Sequence, residues 1–200
     1  MIPLKISKDE VNELAIGAFA GEIILIDDKA GLDELVEGVY GQSIIGFDTE
    51  TRPAFRKGVS YEVALLQLAT REKAFLVRLN KVGFPRVVRQ ILENPHILKV
   101  GAAVRDDLKG LRKLDASFNP DAFFDLNEEL KNVGFLNVGV RNLSAMVLGI
   151  RISKSEQVSN WEADELTDKQ LLYAATDAWA CLEIFFRLRD QGYLDPLFAK

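Results

Sequence analysis

The run SIIGFDTE, residues 43–50, constrains this chain more than any other stretch. Its isoleucine-rich half reads as a buried strand. Its other end carries Asp48 and Glu50. Alternate residues of a strand share a face, so both carboxylates point the same way, about 6.6 Å apart along the chain. Ile44 and Gly46 belong to that face as well. Arg52-Pro53 then ends the strand, since proline has no N–H to donate to a ladder. Carboxylates at the carboxyl end of a buried strand occupy the place where open α/β sheets hold ligands. They are either two solvated charges at a strand end or one side of a cation site.

The rest of the pattern sets the fold class. EIILID (22–27), EVALLQLAT (62–70), KAFLVRL (73–79), ILKVG (97–101) and FFDL (123–126) also read as strands. Helices are expected over about 30–40, with Asp27 or Asp28 as cap, over 84–94 and over 104–114, and a long one from about Asp168 to Gln191. The segment before Glu22 has room for a short helix. Strands early, strand and helix alternating midway, and helices late predict an α/β fold, a mixed β-sheet flanked by helices on both faces. With 200 residues and no linker or repeat, one domain over 1–200 is expected.

Two more elements offer carboxylates. Asp177 stands inside LLYAATDAWACLEIFF, where an ionised carboxylate is costly unless it is paired or holds a metal. Tyr173 lies one turn earlier on the same face, so a buried Tyr–Asp hydrogen bond is the plainer explanation. Asp106-Asp107 opens the helix after ILKVG, where acids also favour the helix dipole. Three separate elements with carboxylates beside apolar runs form the layout of a metal cluster. Oxygen-only ligands select hard cations such as Mg²⁺ or Mn²⁺. A single cysteine, Cys181, excludes a disulfide framework and a cysteine-rich zinc site, and the single His96 excludes any two-histidine mechanism. The net charge of −5 argues against a classical nucleic-acid binder, though weakly for a nuclease, whose site must itself gather carboxylates. No apolar run approaches the ~20 residues of a membrane span. The first residues lack a signal-peptide layout. A cytoplasmic protein without membrane contact is expected.

D-x-E after an apolar strand, KVGAAVRDDLKGL midway and YAATD in a C-terminal helix resemble, in order, the three motifs of the DEDDy 3′–5′ exonucleases of the ribonuclease D superfamily. The run KSEQVSNWEADELTDKQLLYAATDAWA is similar to that of the Werner-type branch. The resemblance covers about residues 20–192. It implies a ribonuclease H-like fold and hydrolysis of DNA or RNA from the 3′ end to nucleoside 5′-monophosphates. It also implies two Mg²⁺ or Mn²⁺ ions per site, held by Asp48, Glu50, Asp107 and Asp177. Asp107 rather than Asp106 aligns, counting from Lys99-x-Gly101. Tyr173 is the tyrosine that positions the attacking water in the family, and the backbone at Thr49 is the usual contact for the terminal sugar.

The partner implied is a single-stranded 3′ end, delivered by a separate helicase or other targeting protein. The loop RPAFRKGVSYE (52–62) carries Arg52, Arg56 and Lys57 among Phe55 and Tyr61, a mixture of charges for phosphate and rings for stacking. The same loop is otherwise a solvated turn with one docked ring. Lys109, Arg112 and Lys113 could add phosphate contacts or merely solubilise their helix, and Trp161 and Trp179 read as core. A dinucleotide-binding enzyme is set aside, because VGAAVRDDL has one of the three glycines needed. A non-catalytic nucleic-acid-binding module that kept the fold is disfavoured, because no carboxylate of the pattern is missing. YAATD argues against an internally cutting ribonuclease H-type enzyme.

Overall fold

A computed structural model of the chain describes residues 2–56 and 58–194. In chain order the elements are α1 Lys8–Glu13, β1 Glu22–Ile26, α2 Leu32–Val39, β2 Ile44–Thr51, β3 Val63–Ala69, β4 Lys73–Arg78, α3 Leu79–Val82 and α4 Arg86–Glu93. They continue with β5 Leu98–Gly101, α5 Val104–Leu114, β6 Phe123–Asp125, α6 Leu126–Asn132, α7 Val140–Leu143, a π-helical turn Ser144–Leu148, and α8 Asp168–Asp190. Among the described residues the strands form one sheet in the order β1-β4-β3-β2-β5-β6. The hairpin strands β2, β3 and β4 pair antiparallel in succession, while β1 joins β4, β5 joins β2 and β6 joins β5 in parallel. The sheet is therefore mixed.

Both faces are covered. Ile45 and Phe47 of β2, Leu66 and Leu68 of β3, and Phe75 and Val77 of β4 pack under α2, α4 and α5. The opposite face packs against α8, through Ala174, Ala175 and Ala178 over β3 and β4, and through Cys181, Ile184 and Phe185 toward Val100 and Phe124. Trp161 is fully buried in that layer, and Trp179 packs against it. Fully buried Arg78, at the end of β4, donates to the carbonyls of Ala163 and Asp164, tying the segment before α8 to the sheet. No described helix is long and apolar enough to cross a membrane.

Three local expectations change. Asp28 does not cap α2. Its carboxylate accepts from Ala30 and Gly31, closing a turn, and the helix starts after Gly31 without a side-chain cap. The strand expected through Leu79 stops at Arg78, because Leu79–Val82 coil into a helical turn closed by Gly83 at φ +77°. The helix expected from Phe84 starts at Arg86, since a residue before proline is pushed out of the helical region and Pro85, extended at ψ 150°, takes the capping place.

Candidate active site

The site begins with how closely α8 lies on β2. A Cβ on Gly46 would sit 2.0 Å from the carbonyl oxygen of Ala178, so only glycine lets the helix backbone rest on the strand there. Asp177 is the neighbour of Ala178, and Asp48 and Glu50 continue the face of Gly46 toward the end of β2. One oxygen from each of Asp48, Glu50 and Asp177 lies within 4.8 Å of the others. Beyond Glu50 the pairing with β3 slips: Glu50 faces Leu65 and Thr51 faces Val63, leaving Ala64 as the extra residue. Such irregularities bend a strand and re-aim its side chains.

Asp107 reaches the site from the other layer. It lies in the first turn of α5, and its Oδ1 accepts from the hydroxyl of Thr49 at 2.5 Å. It is not one of the three carboxylates that converge. Asp106, its neighbour, is exposed and paired with Lys109 at 2.8 Å, at the rim of the cavity that Asp107 borders. The start of α5 is held by Asp125, whose carboxylate accepts from the backbone of Ala103 at 2.9 Å and Val104 at 3.0 Å while it also caps α6. Ala103 takes a left-handed conformation, φ +62°, in that turn. Asp125 thus sets where Asp107 stands. In the sequence it reads only as the end of FFDL. The legible signal was Asp125 with Glu128 three residues on, an N-cap pattern.

Burial and mutual repulsion hold protons on these acids. Burial, then Asp177 and Asp107, push Glu50 up from 4.5 to about 9. Burial pushes Asp177 to about 7, although the Tyr173 hydroxyl and Lys154 pull the other way. Asp107 rises to about 6, mostly by burial, against the Thr49 bond. Asp48 stands well above the usual carboxylate range, by burial and then by Asp177. The Tyr173 hydroxyl is also raised, by burial and then by Asp177 and Glu50, and remains a donor. A hard divalent cation fits this all-oxygen donor set and would replace those protons.

A pH test follows. Each acid binds its proton more tightly folded than unfolded, so the folded chain holds more protons between its ordinary and its raised value. Stability of the metal-free protein is therefore greatest below about pH 4.5 for these groups and is lost as pH rises through 7 and 9. In chelator the melting temperature should fall between pH 5.5 and 9 and recover on adding Mg²⁺, most at pH 9. A flat profile in chelator would contradict a closely packed acidic cluster.

The residues of the 52–62 loop are less uniform than their sequence. Arg52 is taken up by Glu162 at 3.2 Å and lies 4.8 Å from the centre of the Tyr61 ring. Arg56 and Phe55, the latter 84% exposed, border an open cavity of about 440 Å³ with Tyr61, Val158 and Asn160. That cavity is not lined by the carboxylates. Lys57 lies outside the described residues. Asp107 borders a different cavity, of about 370 Å³, with Lys109 and Lys113. Lys154 lines a cavity of about 260 Å³ with Tyr173, Asp177 and Arg141. His96 is exposed in the turn before β5.

Comparison with known proteins bears on this geometry. The family profile described as 3′-5′ exonuclease matches residues 23–192. The bifunctional 3′-5′ exonuclease/ATP-dependent helicase WRN of Mus musculus is 34% identical over 90% of this chain and 14% of its own length. Ribonuclease D of Gluconacetobacter diazotrophicus is 30% identical over 86% of this chain and 44% of its own length. The chain spans less than half the length of these curated relatives. Among solved structures, the Aedes aegypti Nibbler EXO domain superposes with a TM-score of 0.78 at 26% identity, over 88% of this chain and 92% of that one. The Escherichia coli RNase D structure, at 23% identity, covers 89% of this chain and 48% of that one with a TM-score of 0.75, a likeness of ribonuclease H-like fold. By sequence and by fold alike, the chain belongs to the 3′–5′ exonuclease family.

Proposed function

We propose that this chain trims single-stranded 3′ ends of DNA or RNA by hydrolysis, releasing nucleoside 5′-monophosphates. Asp48, Glu50, Asp107 and Asp177 would hold two Mg²⁺ or Mn²⁺ ions. The observation that carries the reading is the convergence of Asp48, Glu50 and Asp177 within 4.8 Å in a chain of this family. Bound cations would supply the charge that makes water nucleophilic at neutral pH and offsets the charge on the departing oxygen.

The chain's own groups do the rest. Thr49 ties Asp107 to the end of β2, so the two layers meet at one point. The backbone at Thr49 is the proposed contact for the terminal sugar. Tyr173 keeps its proton, so it would orient the attacking water by hydrogen bonding and not act as its base. Arg56 and Lys57 would grip phosphates along the strand. Arg52, already engaged by Glu162, would hold the loop and lend charge from its exposed side. A separate helicase is the class of partner that would supply unpaired ends.

Matched DNA and RNA oligonucleotides labelled at the 3′ or the 5′ end, digested with Mg²⁺, with Mn²⁺ and with chelator, test this directly. Stepwise shortening of the 5′-labelled strand and early loss of the 3′ label are expected, both stopped by chelator. Cleavage that starts internally, or persists in chelator, would sink the proposal.

Two variants refine it. Tyr173→Phe should lower turnover by about 10²-fold with metal affinity hardly changed, the scale of a lost positioning group. Unaltered turnover with a lower melting temperature would make the hydroxyl structural only. Replacing Arg56 and Lys57 by alanine should raise KM and keep kcat. The slope of log affinity against log salt should flatten by about 0.7 per lost phosphate contact. Affinity is read on a single strand with Ca²⁺ in place of Mg²⁺, and an unchanged slope would leave the loop as solvated surface.

A further inference from the structure

Gln67 lies in the middle of β3 and pairs directly with Asp48 across the antiparallel ladder. Directly paired residues project from the same face, with Cβ atoms roughly 4.5–5.5 Å apart. On that face Gln67 stands between Leu65 and Ala69, both packed in the layer beneath α8. Its side chain is fully buried, and among the described residues neither Oε1 nor Nε2 has a hydrogen-bond partner. A buried amide without a partner destabilises the fold that holds it. Every other residue of this strand is apolar, VALLQLA, so the amide stands out in a place that a methionine or leucine would fill without that cost.

What surrounds it narrows its use. Leu76 is its partner on the β4 side, and α8 offers alanines 174, 175 and 178 to this layer. Of its two ladder partners, Asp48 is the polar one. For its own stabilisation as an anion, Asp48 has a backbone N–H bond at Thr49. Its neighbours Asp177, Asp107 and Glu50 repel it.

We propose that Gln67 is a positioning residue for Asp48: with divalent cations bound, its amide donates to the Asp48 carboxylate and fixes the orientation in which that group meets the cations. The inference rests on the metal-binding reading of Asp48. A neutral amide suits the task. It offers two N–H groups and no charge, whereas a lysine or arginine there would neutralise Asp48 and compete with the cation. Hydrogen bonds of this kind to a ligating carboxylate commonly govern metal affinity by about 10–100-fold.

Gln67→Met keeps length and volume and removes the donor. Mn²⁺ binding to the full chain, followed by electron paramagnetic resonance, should weaken by about 10–100-fold. The melting temperature in chelator should stay equal or rise, because no buried amide remains without a partner. Equal Mn²⁺ affinity in Gln67→Met and wild type would overturn the proposal. If the wild-type chain binds no Mn²⁺ at all, the metal reading falls and the proposal falls with it, a different result from equal affinities. A second measurement needs no variant: the side-chain amide protons of Gln67 in the wild-type chain should shift downfield on adding Mg²⁺. Signals that stay in place at saturating Mg²⁺ would also overturn it.

Discussion

Asp48→Ala is expected to abolish 3′-end trimming while leaving a folded protein. Asp48 is the central carboxylate: Asp177, Asp107 and Glu50 all act on it. Losing the proposed cation ligand at that point would remove several kcal/mol of charge stabilisation, on the order of 10³-fold in rate or more. The fold should not suffer, because in the metal-free protein Asp48 is a repulsive member of a buried cluster. In chelator at pH 8 the variant should melt at or above the wild-type temperature. Asp106→Ala provides the contrast, since that side chain is 88% exposed and paired with Lys109. It should trim at close to the wild-type rate. Wild-type trimming by Asp48→Ala would remove this carboxylate from the chemistry, and an unfolded variant would make its role structural.

Gly46→Ala should damage stability and activity together. The added methyl group would lie 2.0 Å from the carbonyl oxygen and 2.8 Å from the carbonyl carbon of Ala178. Both are backbone atoms of a 23-residue helix, which must shift as a body. Overpacking of this kind costs about 3 kcal/mol. The shift also carries Asp177 away from Asp48 and Glu50, so added Mg²⁺ should restore neither activity nor the full melting temperature. Gly110→Ala is the control. Its methyl group would meet Cγ2 of Val63 at 2.7 Å, so one side chain and not a helix backbone must give, and the loss should be smaller. Thermal melting and oligonucleotide digestion read both variants. A Gly46→Ala protein with wild-type melting would mean that α8 does not rest on β2.

Much of this arrangement was legible before any coordinates. The strands around Ile44–Thr51, Val63–Ala69 and Lys73–Arg78 announce themselves because buried strands need β-branched and apolar runs, and the Thr167–Gln170 capping box marks the start of α8. The acids, too, stand out as charges in apolar company. What stayed hidden depends on contacts between distant segments. Nothing local in Gly46 says that a helix more than a hundred residues later will lie on it. Thr49 and Asp107 read as independent until the start of α5, held by Asp125, brings them within 2.5 Å. Gln67 looked like one polar residue in a greasy strand, and only the register with β2 set it against Asp48. The misplaced cap at Asp28 has the opposite origin. Two local solutions, a turn and a helix cap, use the same side chain, and the turn through Ala30 and Gly31 prevailed.

The seating of α8 on Gly46 has a consequence for how such a chain is made. Asp48 and Glu50 leave the ribosome more than a hundred residues before the helix bearing Tyr173 and Asp177. Translation proceeds at about 5–20 residues per second, so the half-made protein exists for seconds beside the messenger that encodes it. During that time it has one wall of the carboxylate cluster and lacks the other. A nascent chain stalled before Asp168 would therefore hold Asp48 and Glu50 without Asp177, and the carboxylate cluster would be complete only as α8 docks.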